Sequence, residues 1–114
     1  MRLLIIVLNR EDFLDDILSS LVELGITGAT VIESTRMSEI LSREIPIFAG
    51  LREMRRSHRA YNRIVLAPIE KKENVHELLK VLKEMDIDFQ EPGVGFLFTI
   101  SIDDFTGGEE ELGF

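Results

Sequence analysis

The chain has 114 residues, enough for one domain with a real core, and is 45% hydrophobic and 30% charged, which excludes a disordered chain. A net charge of −8 argues against general nucleic-acid binding, and without cysteine there is no disulfide framework, thiolate metal site or thiol nucleophile. No apolar run reaches the 18 or more residues that a bilayer span needs, so the expectation is a single domain over 1–114, cytoplasmic and not membrane-spanning.

Leu3–Leu8 is a continuous, β-branched-rich apolar run that reads as a strand buried on both faces. It is too brief for a leader, no small-residue cleavage site follows, and Asn9-Arg10-Glu11-Asp12 leads directly into a helix pattern. Asn9 stands where it can cap that helix, with Asp12 three residues on, as in a capping box. Phe13, Leu14, Ile17, Leu18, Leu21 and Val22 then mark one helical face. Gly25 ends the helix where a left-handed residue is needed. Gly25-Ile26-Thr27-Gly28-Ala29-Thr30-Val31 turns on two glycines and opens a second strand, Ala29–Glu33. A close backbone and one hydroxyl at that turn can receive a small molecule.

Between Arg36 and Arg63 the chain holds seven Arg against three Glu, a basic middle suited to an anionic partner. Ser38-Glu39-Ile40-Leu41 can begin a short helix, and Pro46 breaks or restarts it. Phe48, Leu51 and Met54 recur every three residues among Arg52, Arg55, Arg56 and Arg59. This is either a short basic amphipathic helix or a long functional loop, and in both cases a partner surface. The alternative is a solvated face that pairs with Glu109-Glu110-Glu111 of a neighbouring copy.

Tyr61–Ala67 reads as a third strand stopped by Pro68, and Asn74–Met85 as a second helix with Val75, Leu78, Leu79, Leu82 and Met85 on one face. Gln90-Glu91-Pro92-Gly93-Val94-Gly95 is a turn rich in breakers. In the strand Phe96–Ile102, Phe96, Phe98, Ile100 and Ile102 alternate with Leu97, Thr99 and Ser101. Residues 103–114 form an acidic tail. His58 and His76 are isolated, and no catalytic constellation can be read, so an enzyme is not expected.

The order β-α-β-loop-β-α-β is a split βαβ, or ferredoxin-like, α+β domain with an antiparallel sheet and strands one and three at its centre. Two helices cover only one face of such a sheet. The other face is apolar enough to drive packing of copies sheet against sheet, so a homo-oligomer is expected.

At this point the chain resembles the PII (nitrogen-regulatory) signal-transduction proteins, trimers of ferredoxin-like subunits. The resemblance rests on Leu18-Ser19-Ser20, on Gly25-Ile26-Thr27-Gly28-Ala29-Thr30-Val31 and on the length of the helix between. The 36–60 insert sits where that family has its partner-binding T-loop, and Pro92-Gly93-Val94-Gly95-Phe96 where it has its glycine-rich B-loop. The resemblance implies a PII-like homotrimer with an effector cleft between subunits, an effector of the ATP, ADP, AMP or cyclic-nucleotide kind, and a protein target such as a membrane transporter. Carried over, the ligand residues are Gly28, Ala29, Thr30, Gly93, Val94, Gly95 and Phe96; the partner residues in the insert are Phe48, Leu51, Arg52, Arg55, Arg56 and Arg59. The sequence departs from the family in three places. Phe96 replaces the B-loop lysine, Ile102–Gly108 lacks the phosphate-binding arginines, and the modified T-loop tyrosine has no counterpart. These departures favour a less charged ligand, such as a nucleoside monophosphate, a cyclic nucleotide or bicarbonate, with Arg36 or Arg43 supplying charge from the loop. A CutA-type, divalent-metal-responsive trimer of the same architecture is the alternative. An acylphosphatase-like enzyme ranks last, because Asn9-Arg10 runs straight into a helix and offers no phosphate-cradling loop.

Overall fold

A computed structural model describes residues 1–44 and 61–108. Four strands, β1 (Arg2–Leu8), β2 (Thr30–Glu33), β3 (Arg63–Ile69) and β4 (Gly95–Ser101), form one antiparallel sheet in the order β2-β3-β1-β4. A 3₁₀ turn, Glu11–Phe13, leads into helix α1 (Leu14–Glu23); α2 (Met37–Glu44) follows β2, and α3 (Glu73–Glu84) links β3 to β4. This is the ferredoxin-like βαββαβ arrangement, with the two most apolar strands at the centre.

The sheet has one packed face and one open face, and strand periodicity divides the residues between them. Leu4, Ile6 and Leu8 of β1 and Val65, Ala67 and Ile69 of β3 point to the helix layer, where Ile17, Leu21, Leu78 and Leu82 complete the core. Reading β1 as buried on both faces therefore holds only in part. Leu3, Ile5 and Val7 and their partners Pro68, Leu66 and Ile64 face away from the helices and are half-exposed in the single chain. Phe96, Phe98 and Ile100 extend this row on β4, and Thr30 and Ile32 extend it on β2. Only Thr30 of these eleven residues is not apolar.

Several boundaries differ from the sequence expectation for identifiable reasons. Asn9 caps no helix: the turn and α1 begin without a side-chain cap, and Asn9 is buried at the end of β1. Asp12 instead forms a two-pronged ion pair with Arg10, Nε to Oδ1 at 3.0 Å and Nη2 to Oδ2 at 2.7 Å. Val22 is 60% exposed rather than on the buried stripe, since at 100° per residue it has rotated well past the Ile17–Leu21 line. β3 begins at Arg63 and not Tyr61, and it runs through Pro68 to Ile69. Proline is tolerated there because β2 reaches only as far as Thr30, opposite Leu66, which leaves the outer edge of β3 unpaired beyond it. The short helix expected at 38–41 is α2.

Both long helices close with the same hydrogen-bonded motif. After α1, Gly25 N–H donates to the Val22 carbonyl at 2.9 Å and Ile26 N–H to Leu21 at 2.8 Å, with Gly25 at φ +81°. After α3, Asp86 N–H donates to Lys83 at 3.0 Å and Ile87 N–H to Leu82 at 2.9 Å, with Asp86 at φ +63°. In each case the following isoleucine folds back onto the core. Gly28, the second glycine of the first turn, is not in the left-handed region.

Candidate functional site

The two halves of the sequence-predicted ligand site lie on opposite edges of the sheet. Gly28 and Ala29 lead into β2, and Thr30 is its first residue; the cross-strand row Thr30–Leu66–Ile5–Phe98 places the Thr30 side chain on the open, helix-free face. Gly93, Val94, Gly95 and Phe96 enter β4, at the far edge, where Gly95 stands in the row of Leu8 and Arg63. Three strand spacings of about 4.8 Å separate the edges by about 14 Å, before adding the three-residue offset along the strands. One chain therefore does not bring Thr30 to Gly93–Phe96.

The glycine loop is built into the fold more tightly than a sequence reading shows. Val94 is fully buried in the core, and its carbonyl accepts the Asn9 N–H at 2.9 Å, so its side chain cannot face a ligand. Gly95 sits at φ +136°, and a Cβ there would lie 2.0 Å from the Val7 carbonyl oxygen. Glycine at 95 is thus required by the close approach of β4 to β1, whatever the loop binds. Phe96 is exposed on the open face, with its ring stacked on Phe98 at 6.2 Å between centroids.

Beside this loop is a cleft of about 380 Å³, walled by Leu79 and Lys83 of α3, by Ile87–Gln90, and by Phe96 and Leu97. Its lining is largely apolar, with Lys83, Asp88 and Gln90 as polar groups, a composition suited to a flat ring carrying few charges. Lys83 and the 87–90 segment escape a sequence reading, because only the end of α3 folding over β4 makes them neighbours of Phe96. The nearby charges are mixed. Glu91 lies close enough to favour the charged form of Arg10, whose guanidinium is raised above its usual pKa chiefly by its hydrogen bond to Asp12. The same bond holds the Asp12 carboxyl below the usual range. Both groups are solvent-exposed, so the pair adds little stability.

A buried polar chain runs between this loop and the insert. Asn62, just before β3, is 3% exposed and Asn9 8%. Asn62 Nδ2 donates to Asn9 Oδ1 at 3.0 Å, the Ser34 hydroxyl donates to Asn62 Oδ1 at 2.5 Å, and Ser34 N–H donates to the Asn62 carbonyl at 3.2 Å. Phe48, Leu51, Arg52, Arg55, Arg56 and Arg59, expected from the sequence to form a partner surface, lie outside the described residues, as do His58, Glu109–Glu111 and the Arg43 side chain. Arg36 is half-buried just before α2. Tyr61 lies two residues before β3, with its ring against the core and under the Arg63 guanidinium at 4.5 Å. Its hydroxyl is buried, and burial pushes its pKa up. Among the described residues no three His, Asp or Glu converge as a metal site, and no helix is long and apolar enough to cross a membrane.

No protein-family profile and no curated protein sequence matches the chain. Among solved structures it is similar to the crystal structure of Arabidopsis thaliana PII bound to citrate, with a TM-score of 0.52 and 18% identity, over 89% of this chain and 76% of that one. At that identity the likeness is one of fold. Sheet order and structural match together give this chain a PII-like, ferredoxin-type fold.

Proposed function

We propose that the protein is a regulator that binds a small effector, an adenine nucleotide, in the seams of a homotrimer and signals to a protein target through the 36–60 insert. The observation that carries this reading is the placement of Thr30 and Gly93–Phe96 on opposite edges of one sheet. Two half-sites of that kind become one cleft only when the β2 edge of one subunit meets the β4 edge of the next. The bare sheet face supplies the reason for copies to meet, since ten of its eleven residues are apolar and, among the described residues, no helix covers them. An effector is expected to order or release the insert by contacting its two states differently, and a membrane transporter is the target class proposed.

The described charges support a lightly charged nucleotide over a triphosphate. Lys83 and Arg10 flank the glycine loop, but Arg10 is engaged by Asp12, and Asp88 and Glu91 stand beside them. Backbone N–H groups at a glycine-bearing loop can still hold one phosphate. Calorimetry with ATP, ADP, AMP and cyclic AMP tests the proposal, with tightest binding expected for AMP or cyclic AMP at one site per subunit. Heatless titrations with all four nucleotides would remove it, and so would sedimentation of a single folded subunit at working concentration.

A further inference from the structure

We infer that Asn9 and Asn62 are positioning residues, a buried hydrogen-bonded relay through which the state of the Gly93–Gly95 loop sets the stability of the insert at its root. The inference rests on the functional reading above and adds to it the route of regulation. Its geometry is continuous. The Val94 carbonyl, inside the glycine loop, accepts the Asn9 N–H; the Asn9 side-chain oxygen accepts from the Asn62 amide; and Asn62 holds Ser34 twice, by hydroxyl and by backbone.

The relay's far end lies where it can act. Ser34 immediately follows β2, and α2 begins three residues later, with Glu39 N–H donating to the Arg36 carbonyl in its first turn. Asn62 precedes β3, so the relay clasps the chain on both sides of the insert and ties that clasp to the glycine loop. Asn62 uses its side-chain oxygen and its amide in opposite directions, one accepting from Ser34 and one donating to Asn9. Loss of either neighbour leaves a buried amide group unpaired, which destabilises the clasp. A buried amide in this position favours two arrangements, all bonds made or the clasp opened, which is the kind of element that passes on a change at one end. Local sequence reads Asn9 as a helix cap and Asn62 as part of a strand; only the closing of β1, β3 and the 91–95 turn on one another joins them.

Amide hydrogen exchange tests the relay in two arms. In the first, AMP at saturation is added to the wild-type chain, to Asn62→Ala, which cuts the relay at its centre, and to Ser34→Ala, which removes one hydroxyl and leaves the Asn62–Asn9 bond available. AMP is expected to slow exchange at Asn9, the loop end, in wild type and in Ser34→Ala. At Ser34 and in α2 the slowing is expected to be about tenfold in wild type and less than about twofold in both variants. Equal slowing at the insert root in wild type and variants would overturn the relay.

The second arm needs no ligand. Val94→Ala loosens the loop from within the core and leaves every relay bond available. It is expected to speed exchange at Ser34 about tenfold in the wild-type background and less than about twofold when combined with Ser34→Ala or Asn62→Ala. Acceleration of the same size in all backgrounds would sink the inference. If AMP slows nothing in wild type while the Val94→Ala responses appear as stated, the nucleotide reading fails and the relay stands.

Discussion

Gly95 shows how a residue chosen for a binding role can be committed to the fold instead. From sequence alone, bulk at 95 is a way to block a ligand while sparing the structure. A side chain at 95 would begin with a Cβ only 2.0 Å from the Val7 carbonyl oxygen, which reverses that expectation. Gly95→Val is expected to destabilise the fold by about 1–3 kcal/mol or more, read as a fall in the urea midpoint, through overpacking and a φ that side chains rarely adopt. Wild-type stability in that variant would show that β4 can shift away from β1. Tyr61 gives a second test, since it is the only tyrosine and no tryptophan obscures its phenolate band. Its folded pKa is raised, so the folded chain holds the phenolic proton more tightly than the unfolded one. Its contribution to stability is therefore intact below the unfolded value of about 10 and is lost as pH rises through the folded value. Ultraviolet titration is expected to place phenolate formation above that of free tyrosine; ordinary titration would mean that the hydroxyl reaches water.

The helices and strands form where apolar spacing puts them, and their ends depend on single residues. α1 and α3 close with matching bonds, but one uses glycine and the other Asp86 in the left-handed region. Asp86→Gly is expected to stabilise the fold by about 1 kcal/mol, measured by denaturant unfolding, because the left-handed conformation costs an ordinary residue about that much. A loss of stability would show that the Asp86 side chain contributes more than its backbone costs. Arg2 closes the opposite end of the sheet, with Nε donating to Thr99 Oγ1 at 2.9 Å and Nη1 to Ser101 Oγ at 3.1 Å. Those three polar residues stand on the helix side of β1 and β4, beyond the apolar core. The strand patterns are readable because alternation has a period of two; the extension of β3 through Pro68 is not, because it depends on where β2 stops.

At the scale of the molecule, the open sheet face decides whether the proposed site exists. It joins all four strands and carries Phe96, Phe98 and Ile100 with 54%, 43% and 46% of their surface exposed. Phe98→Arg, at the Ile5 row, is expected to abolish association in sedimentation while leaving the far-ultraviolet circular dichroism of the subunit unchanged. The same variant is expected to lose nucleotide binding, since Thr30 of one copy would no longer reach Gly93–Phe96 of the next. An assembly that survives Phe98→Arg would place the contact between copies elsewhere.

Element order, helix faces, the central strands and the Gly25 turn follow from local periodicity and turn chemistry, which neighbouring residues along the chain dictate. The candidate ligand positions can be named on the same local grounds, through glycines and a threonine in a familiar spacing. Their separation across the sheet, the burial of Val94, the steric need for Gly95, the Lys83 cleft and the Asn9–Asn62–Ser34 chain are set by contacts between residues tens of positions apart. Such contacts leave no period in a sequence, because they arise only when strand register brings distant backbone into the same row.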